Sequence, residues 1–247
     1  MYSETMIDET LLEKIAAYRP SAATIALLQD TTIALVVGVS GAGKDTIVKE
    51  LLKKEDYRAI VSHTTRAPRE NRGVPEQNGV DYHFIDVPTA VKMIDDHAFI
   101  EVKTYSQNIY GTSAAEVQKA HDESKIAISD VEVKGVAEYV ELTPTVRPIF
   151  VLPPSFEIWQ QRLLSRYGDG QSEHTEDILR RLRTARDELM HARSTDYFSL
   201  IVNDDLGKTV QKVDELAHTP TNLPERTPAA LKLIEDLLAK LQTTLGE

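Results

Sequence analysis

The stretch Ile33-Ala34-Leu35-Val36-Val37-Gly38-Val39-Ser40-Gly41-Ala42-Gly43-Lys44-Asp45-Thr46, continued by Ile47, Val48, Leu51 and Leu52, decides the reading of the chain. Ile33 to Gly38 is a short apolar run closed by glycine and reads as a buried strand. Ile47, Val48, Leu51 and Leu52 recur at helical spacing. Between strand and helix lies G-x-x-x-x-G-K, a phosphate-binding loop at every position but the last, where Asp45 stands in place of Ser or Thr. Glycines let backbone N–H groups turn inward around phosphate oxygens. The helix start adds partial positive charge, and Lys44 brings a mobile full charge for the outer phosphates of a nucleotide.

Working outward, 247 residues suffice for one domain or two. Hydrophobic residues at 41% and charged residues at 27% fit a globular protein with an ordinary core. No apolar run nears the roughly 20 residues that span a bilayer, and Met1 to Thr10 lacks the basic-then-apolar pattern of a secretory signal. The expectation is a cytoplasmic protein without membrane partners. Cysteine is absent, which excludes disulfides and thiolate metal sites. A net charge of −11 argues against general nucleic-acid binding. Arginines nonetheless concentrate locally, at Arg66, Arg69 and Arg72 and again at Arg162, Arg166, Arg180, Arg181, Arg183 and Arg186. That pattern suits small anionic ligands at discrete sites, with some of these arginines on solvated helix faces.

Residues 8–29 read as one or two helices interrupted at Pro20. Strands are expected at Tyr57–Ser62, Val80–Ile85, Phe99–Tyr105, Lys125–Ser129, Val146–Leu152 and Tyr197–Val202. Gly111 marks a turn. Helices are expected near Pro88, over Val133–Leu142, over Ser155–Arg166 and from Thr175 towards Arg193. Strands alternating with helices imply a parallel sheet covered on both faces. Asp130 and Glu132 follow a strand, at the edge where such sheets bind ligands. Residues 218–224 read as a linker. Pro228 opens an amphipathic helix striped by Leu231, Ile234, Leu238, Leu241 and Leu245, which packs on its own domain or serves a homodimer through the terminal helices.

The loop, Ser62 to Arg69, Asp81-Tyr82-His83-Phe84, Phe99-Ile100-Glu101, Tyr110-Gly111-Thr112-Ser113 and Val202-Asn203-Asp204-Asp205 occur in one order. Taken together they resemble the guanylate kinase family over about residues 31–216. The resemblance implies an α/β fold, a P-loop nucleoside-monophosphate-kinase-like parallel sheet with helices on both faces. It adds a small GMP-binding α+β insertion at about 63–112 and a lid at about 162–180. Residues 1–30 would be a helical extension, and 217–247 a linker and amphipathic helix. The implied reaction moves the γ-phosphate of ATP to GMP with Mg²⁺ as cofactor, the insertion and lid closing to exclude water.

By the same resemblance ATP meets Gly38, Val39, Ser40, Gly41, Ala42, Gly43, Lys44, Asp45, Thr46 and Asn203, the last near adenine. Ser62, Arg66, Arg69, Tyr82, Tyr110 and Thr112 grip the phosphate of GMP. Glu101 reads the guanine edge, accepting from N1–H and the 2-amino group, and Glu132 stands where the family usually has aspartate beside it. Lys44, Arg166 and Arg181 serve transfer, with Arg162 and Arg180 as alternatives because the loop between is a few residues long. Asp45, Thr46 and Asp130 are the metal candidates. Two other readings stand beside this one: a related P-loop kinase with another acceptor, such as a ribose phosphate, and a non-catalytic protein-binding module.

Overall fold

The computed structural model describes residues 7–71, 74–129, 131, 133–165, 175–219 and 223–246. Helices α1 (Glu9–Ala16) and α2 (Ala22–Gln29) precede β1 (Ile33–Gly38) and α3 (Lys44–Leu51). Five short strands follow: β2 (Tyr57–Ala59), β3 (His63–Thr64), β4 (Glu70–Asn71), β5 (Val74–Pro75) and β6 (His83–Phe84). Then come α4 (Val87–Asp95), β7 (Phe99–Tyr105), β8 (Asn108–Ser113), α5 (Ala114–Asp122) and β9 (Ile126–Ser129). A 3-10 turn at Val133–Gly135 leads into α6 (Val136–Leu142), β10 (Val146–Leu152) and α7 (Phe156–Leu164). The remaining elements are α8 (Thr175–Ser194), β11 (Ser199–Val202), α9 (Leu206–His218) and α10 (Pro228–Leu245).

Two compact units form, one from Met1–Thr31 with Arg58–Ala127 and the other from Thr32–Tyr57 with Ile128–Glu247. A five-stranded sheet runs in the order β11-β10-β1-β9-β2. β1 pairs in parallel with β10 from Ile33↔Val146 to Gly38↔Val151, and β10 in parallel with β11. Every residue of β1 is buried, which explains its uninterrupted apolar run. α10 packs on α7, α8 and β11, burying Ala230, Ile234, Leu237 and Leu241 within its own unit. Pro228 sits in its first turn and the Thr227 hydroxyl accepts from the Ala230 N–H, so the helix start is sequence-encoded.

In the other unit a four-stranded sheet runs β6-β3-β8-β7. One face contributes Phe99, Val102 and Ile109 to a core with Leu11, Ile15, Ala90 and Ile94, so α1 belongs to this core. The Tyr18 hydroxyl donates to the Phe99 carbonyl at 2.6 Å and accepts from the Phe99 N–H at 2.9 Å, tying α1 to β7.

Two local readings of the sequence change here. Val80–Ile85 is a strand only at His83–Phe84. The Asp81 carboxylate accepts from the Gln77 N–H at 2.7 Å and Gly79 adopts φ +77°, closing a turn where alternation suggested extension. Gly111 lies inside β8, and the reversal falls at Ser106 and Gln107, both left-handed at φ +47° and +61°. Gly111 is required for closeness: a Cβ there would lie 2.8 Å from the Glu101 carbonyl oxygen and 2.9 Å from the Phe99 ring. Gly111→Ala should therefore lower stability by about 1–3 kcal/mol in urea unfolding, the cost of overpacking. A variant as stable as the parent would refute the close-approach account.

Candidate functional site

Gly43 precedes α3 at φ +98°, a left-handed conformation open to glycine, and a Cβ there would meet the Asn203 side-chain nitrogen at 2.3 Å. That nitrogen donates to the Ala42 carbonyl at 2.7 Å. Asn203 is buried at 5% exposure. Asn203, the residue expected near adenine, braces the loop from beneath. The Trp159 indole N–H donates to the Ser40 carbonyl at 2.8 Å, a second brace. Val39 and Ala42 are fully buried, and the Ala42 N–H is used within the loop on the Val39 carbonyl at 3.0 Å. Their part is to shape the loop rather than to offer side chains.

A cavity of ≈ 180 Å³ opens over this turn, lined by Gly38, Ser40, Gly41, Gly43, Lys44, Asp45, Thr46 and Glu188. Lys44 heads α3 and its ammonium meets the Asp45 carboxylate at 2.6 Å. Arg181 donates from Nη1 to the Ser40 hydroxyl at 3.3 Å and from Nε to Asp177 at 2.9 Å, so α8 delivers a guanidinium to the loop. Arg162 approaches the Asn203 carbonyl at 3.4 and 3.5 Å, and Arg180 turns outward to pair with Asp177. Arg166, Asp130 and Glu132 lie outside the described residues. Asp45, Thr46 and Glu188 offer hard oxygen donors on one cavity, the donor chemistry Mg²⁺ selects.

The acceptor-side candidates are gathered by strand parity. His63 pairs with Gly111 and with His83, Thr64 with Tyr110 and Phe84, and Glu101 with Thr112. Side chains alternate across a sheet. One face therefore carries Thr64, Tyr82, Phe84, Tyr110, Thr112 and Glu101, with Ser62 and Arg66 extending it at the ends of β3. The Thr112 hydroxyl donates to Glu101 at 2.9 Å and lies 3.3 Å from the Ser62 hydroxyl. Arg66 stacks 5.4 Å from the Tyr82 ring centre and 5.8 Å from that of Phe84. Arg69 is exposed on the adjoining segment.

Several residues at these sites went unread in the sequence. Glu76 grips the Arg66 guanidinium at 2.8 and 3.0 Å, which holds the Glu76 carboxyl below its usual range. Two acids, Glu70 and Glu76, in a loop with three arginines were a usable charge signal. Lys103 opposes Tyr110 on the same face, and Glu188 comes from mid-helix in α8. Trp159 and Glu188 reach the loop through tertiary packing, which local spacing does not encode.

A family model described as guanylate kinase matches residues 30–219. The chain is 35% identical over 213 residues to a guanylate kinase of Chromohalobacter salexigens, covering 85% of this chain and 94% of that relative. A guanylate kinase of Schizosaccharomyces pombe is 35% identical over 185 residues, 74% of this chain and 88% of the relative. In three dimensions the chain is similar to the crystal structure of guanylate kinase from Anaplasma phagocytophilum, with a TM-score of 0.55 at 24% identity over 76% of this chain and 84% of that one, a likeness of fold. With its glycine loop and its strand-built polar face inside the matched region, this chain belongs to the guanylate kinase family.

Proposed function

We propose that this chain transfers the γ-phosphate of ATP to GMP, giving ADP and GDP. The observation that carries the reading is the polar face of the four-stranded sheet. It sets a carboxylate, Glu101, held by Thr112, on the same surface as Arg66 and Tyr110. A carboxylate accepts two hydrogen bonds from guanine N1–H and the 2-amino group, a pair adenine does not offer. Arginine and phenol donors suit a phosphate dianion. A sugar phosphate would leave Glu101 without such a partner.

Phosphoryl transfer asks little covalent work of a protein; positioning and charge neutralisation dominate. The loop backbone cradles the phosphates of ATP, and Lys44 and Arg181 meet the charge spread over the transferred group. Ser62, Arg66, Arg69, Tyr82, Tyr110 and Thr112 fix the acceptor phosphate. Thr46 and Asp45, with Glu188 on the same cavity, would hold Mg²⁺, which would supply electrostatic neutralisation of the ATP phosphates. Among the described residues no helix is long and apolar enough to cross a membrane.

A coupled ADP-release assay tests the reading, with GMP turnover expected far above that with AMP or ribose phosphates. Lys44→Ala should lower kcat by about 100- to 1,000-fold, as removal of a preorganised charge donor does elsewhere. Binding of GMP without turnover would favour the protein-binding module.

Asp45 generates a separate expectation. Its carboxylate pairs with Lys44 and adds negative charge beside the phosphates. One like charge about 4 Å away is worth about 1 kcal/mol at the dielectric of water, which suits the exposed Asp45. Asp45→Ser should thus tighten binding of metal-free ATP by about threefold to tenfold, with a smaller change for the Mg²⁺ complex. Calorimetry with and without EDTA measures the difference; equal shifts in both conditions would rule it out.

A further inference from the structure

Glu76 has no place in the reaction as set out above, yet it holds an enclosed ion pair on the acceptor face. The Arg66 and Glu76 side chains are each only 9% exposed. The geometry points to Glu76 as a positioning residue that dictates which edge of Arg66 meets the acceptor phosphate, an inference resting on GMP as acceptor.

A guanidinium has two forks. The end-on fork uses Nη1 and Nη2; the side-on fork uses Nε and the outer proton of Nη2. Glu76 occupies the end-on fork, with Nη1 to Oε2 at 2.8 Å and Nη2 to Oε1 at 3.0 Å. The Ala67 carbonyl takes the other Nη1 proton at 2.7 Å. What remains is the side-on fork, two parallel N–H groups spaced for two oxygens of one phosphate. Tyr110, paired with Thr64 on the neighbouring strand, lies on the same face of the sheet.

Two further contacts keep the plane from turning. The rings of Tyr82 and Phe84 lie 5.4 and 5.8 Å from the guanidinium carbon. Glu76 also pins the chain beneath. Its Oε2 accepts the Arg69 N–H at 2.7 Å, and its own N–H donates to the Arg69 carbonyl at 2.8 Å. One carboxylate therefore orients Arg66 and fixes the backbone that carries Arg69. Without Glu76 the fork would rotate among its partners, and a bidentate contact would become an averaged one.

Equilibrium binding of GMP and of guanosine separates this role from general support of the fold. Glu76→Gln, checked for an intact thermal transition, should weaken GMP by at least tenfold and guanosine by less than twofold. Glu76→Asp, which keeps the charge, should recover part of the loss. In an Arg66→Lys background, where no fork exists, Glu76→Gln should add less than twofold. Unchanged GMP binding in Glu76→Gln would overturn the proposal, as would equal weakening of GMP and guanosine. If the unaltered protein neither binds nor phosphorylates GMP, the functional reading fails and this inference falls with it. If it turns GMP over while Glu76→Gln binds GMP as tightly, the role of Glu76 alone is wrong.

Discussion

The nucleotide loop depends on one buried amide. Asn203 leaves the end of β11, sits beneath the loop, and bonds the Ala42 carbonyl. Its nitrogen fills the space a Cβ on residue 43 would need, so a glycine at the helix start and an asparagine some 160 positions later are one requirement. An exposed loop with no internal brace would lose backbone entropy on each binding event. Held by Asn203 from below and by the Trp159 indole at Ser40, it is preorganised before any phosphate arrives. The parallel pairing of β1 with β10 and of β10 with β11 brings the glycine loop, Trp159 and Asn203 to one end of the sheet.

The acceptor side rests on a different constraint, the period of two along a strand. Ser62, Thr64 and Arg66 share parity, as do Tyr82 with Phe84 and Tyr110 with Thr112. A register slip of one residue would turn these groups towards the apolar core and bring His63, His83 and Ile109 out. Gly111 secures the register by admitting β7 to within contact of β8 where any side chain would collide. The chemistry of the polar face and the packing of the opposite face are set by the same pairing.

This explains what the sequence made legible. The loop was readable because its function is local: strand, glycines, lysine and helix lie within twenty-odd positions and each has a backbone reason. Acceptor residues came through as fragments whose joint order resembled a family, while the face they share depends on pairing that no window displays. Gly111 misled because glycine at a turn and glycine at a close approach look alike in one dimension. The true reversal, Ser106-Gln107, carries no Asn-Gly signal and is held by tertiary pairing and by the Asn108 amide donating to the Ser106 carbonyl at 2.8 Å. The burial of Asn203 beneath the loop is a property of packing that local sequence does not display.

Charge supplies the last step. The chain carries a net −11 yet must gather phosphates, and three cations at its sites have carboxylate partners: Lys44 with Asp45, Arg181 with Asp177, Arg66 with Glu76. These pairs are not equivalent. The first two are partly exposed, screened and worth little to stability, so an incoming phosphate displaces the carboxylate at small cost. The third is enclosed, and breaking it would strand a buried charge. A phosphate arriving at Arg66 would therefore be better bound alongside Glu76 than in its place, at the edge the carboxylate leaves open. On the donor side both pairs are partly exposed; on the acceptor side the pair is enclosed. Tight selection of one small acceptor needs a rigid fork, whereas a triphosphate whose charge moves during transfer is better met by side chains that can follow it.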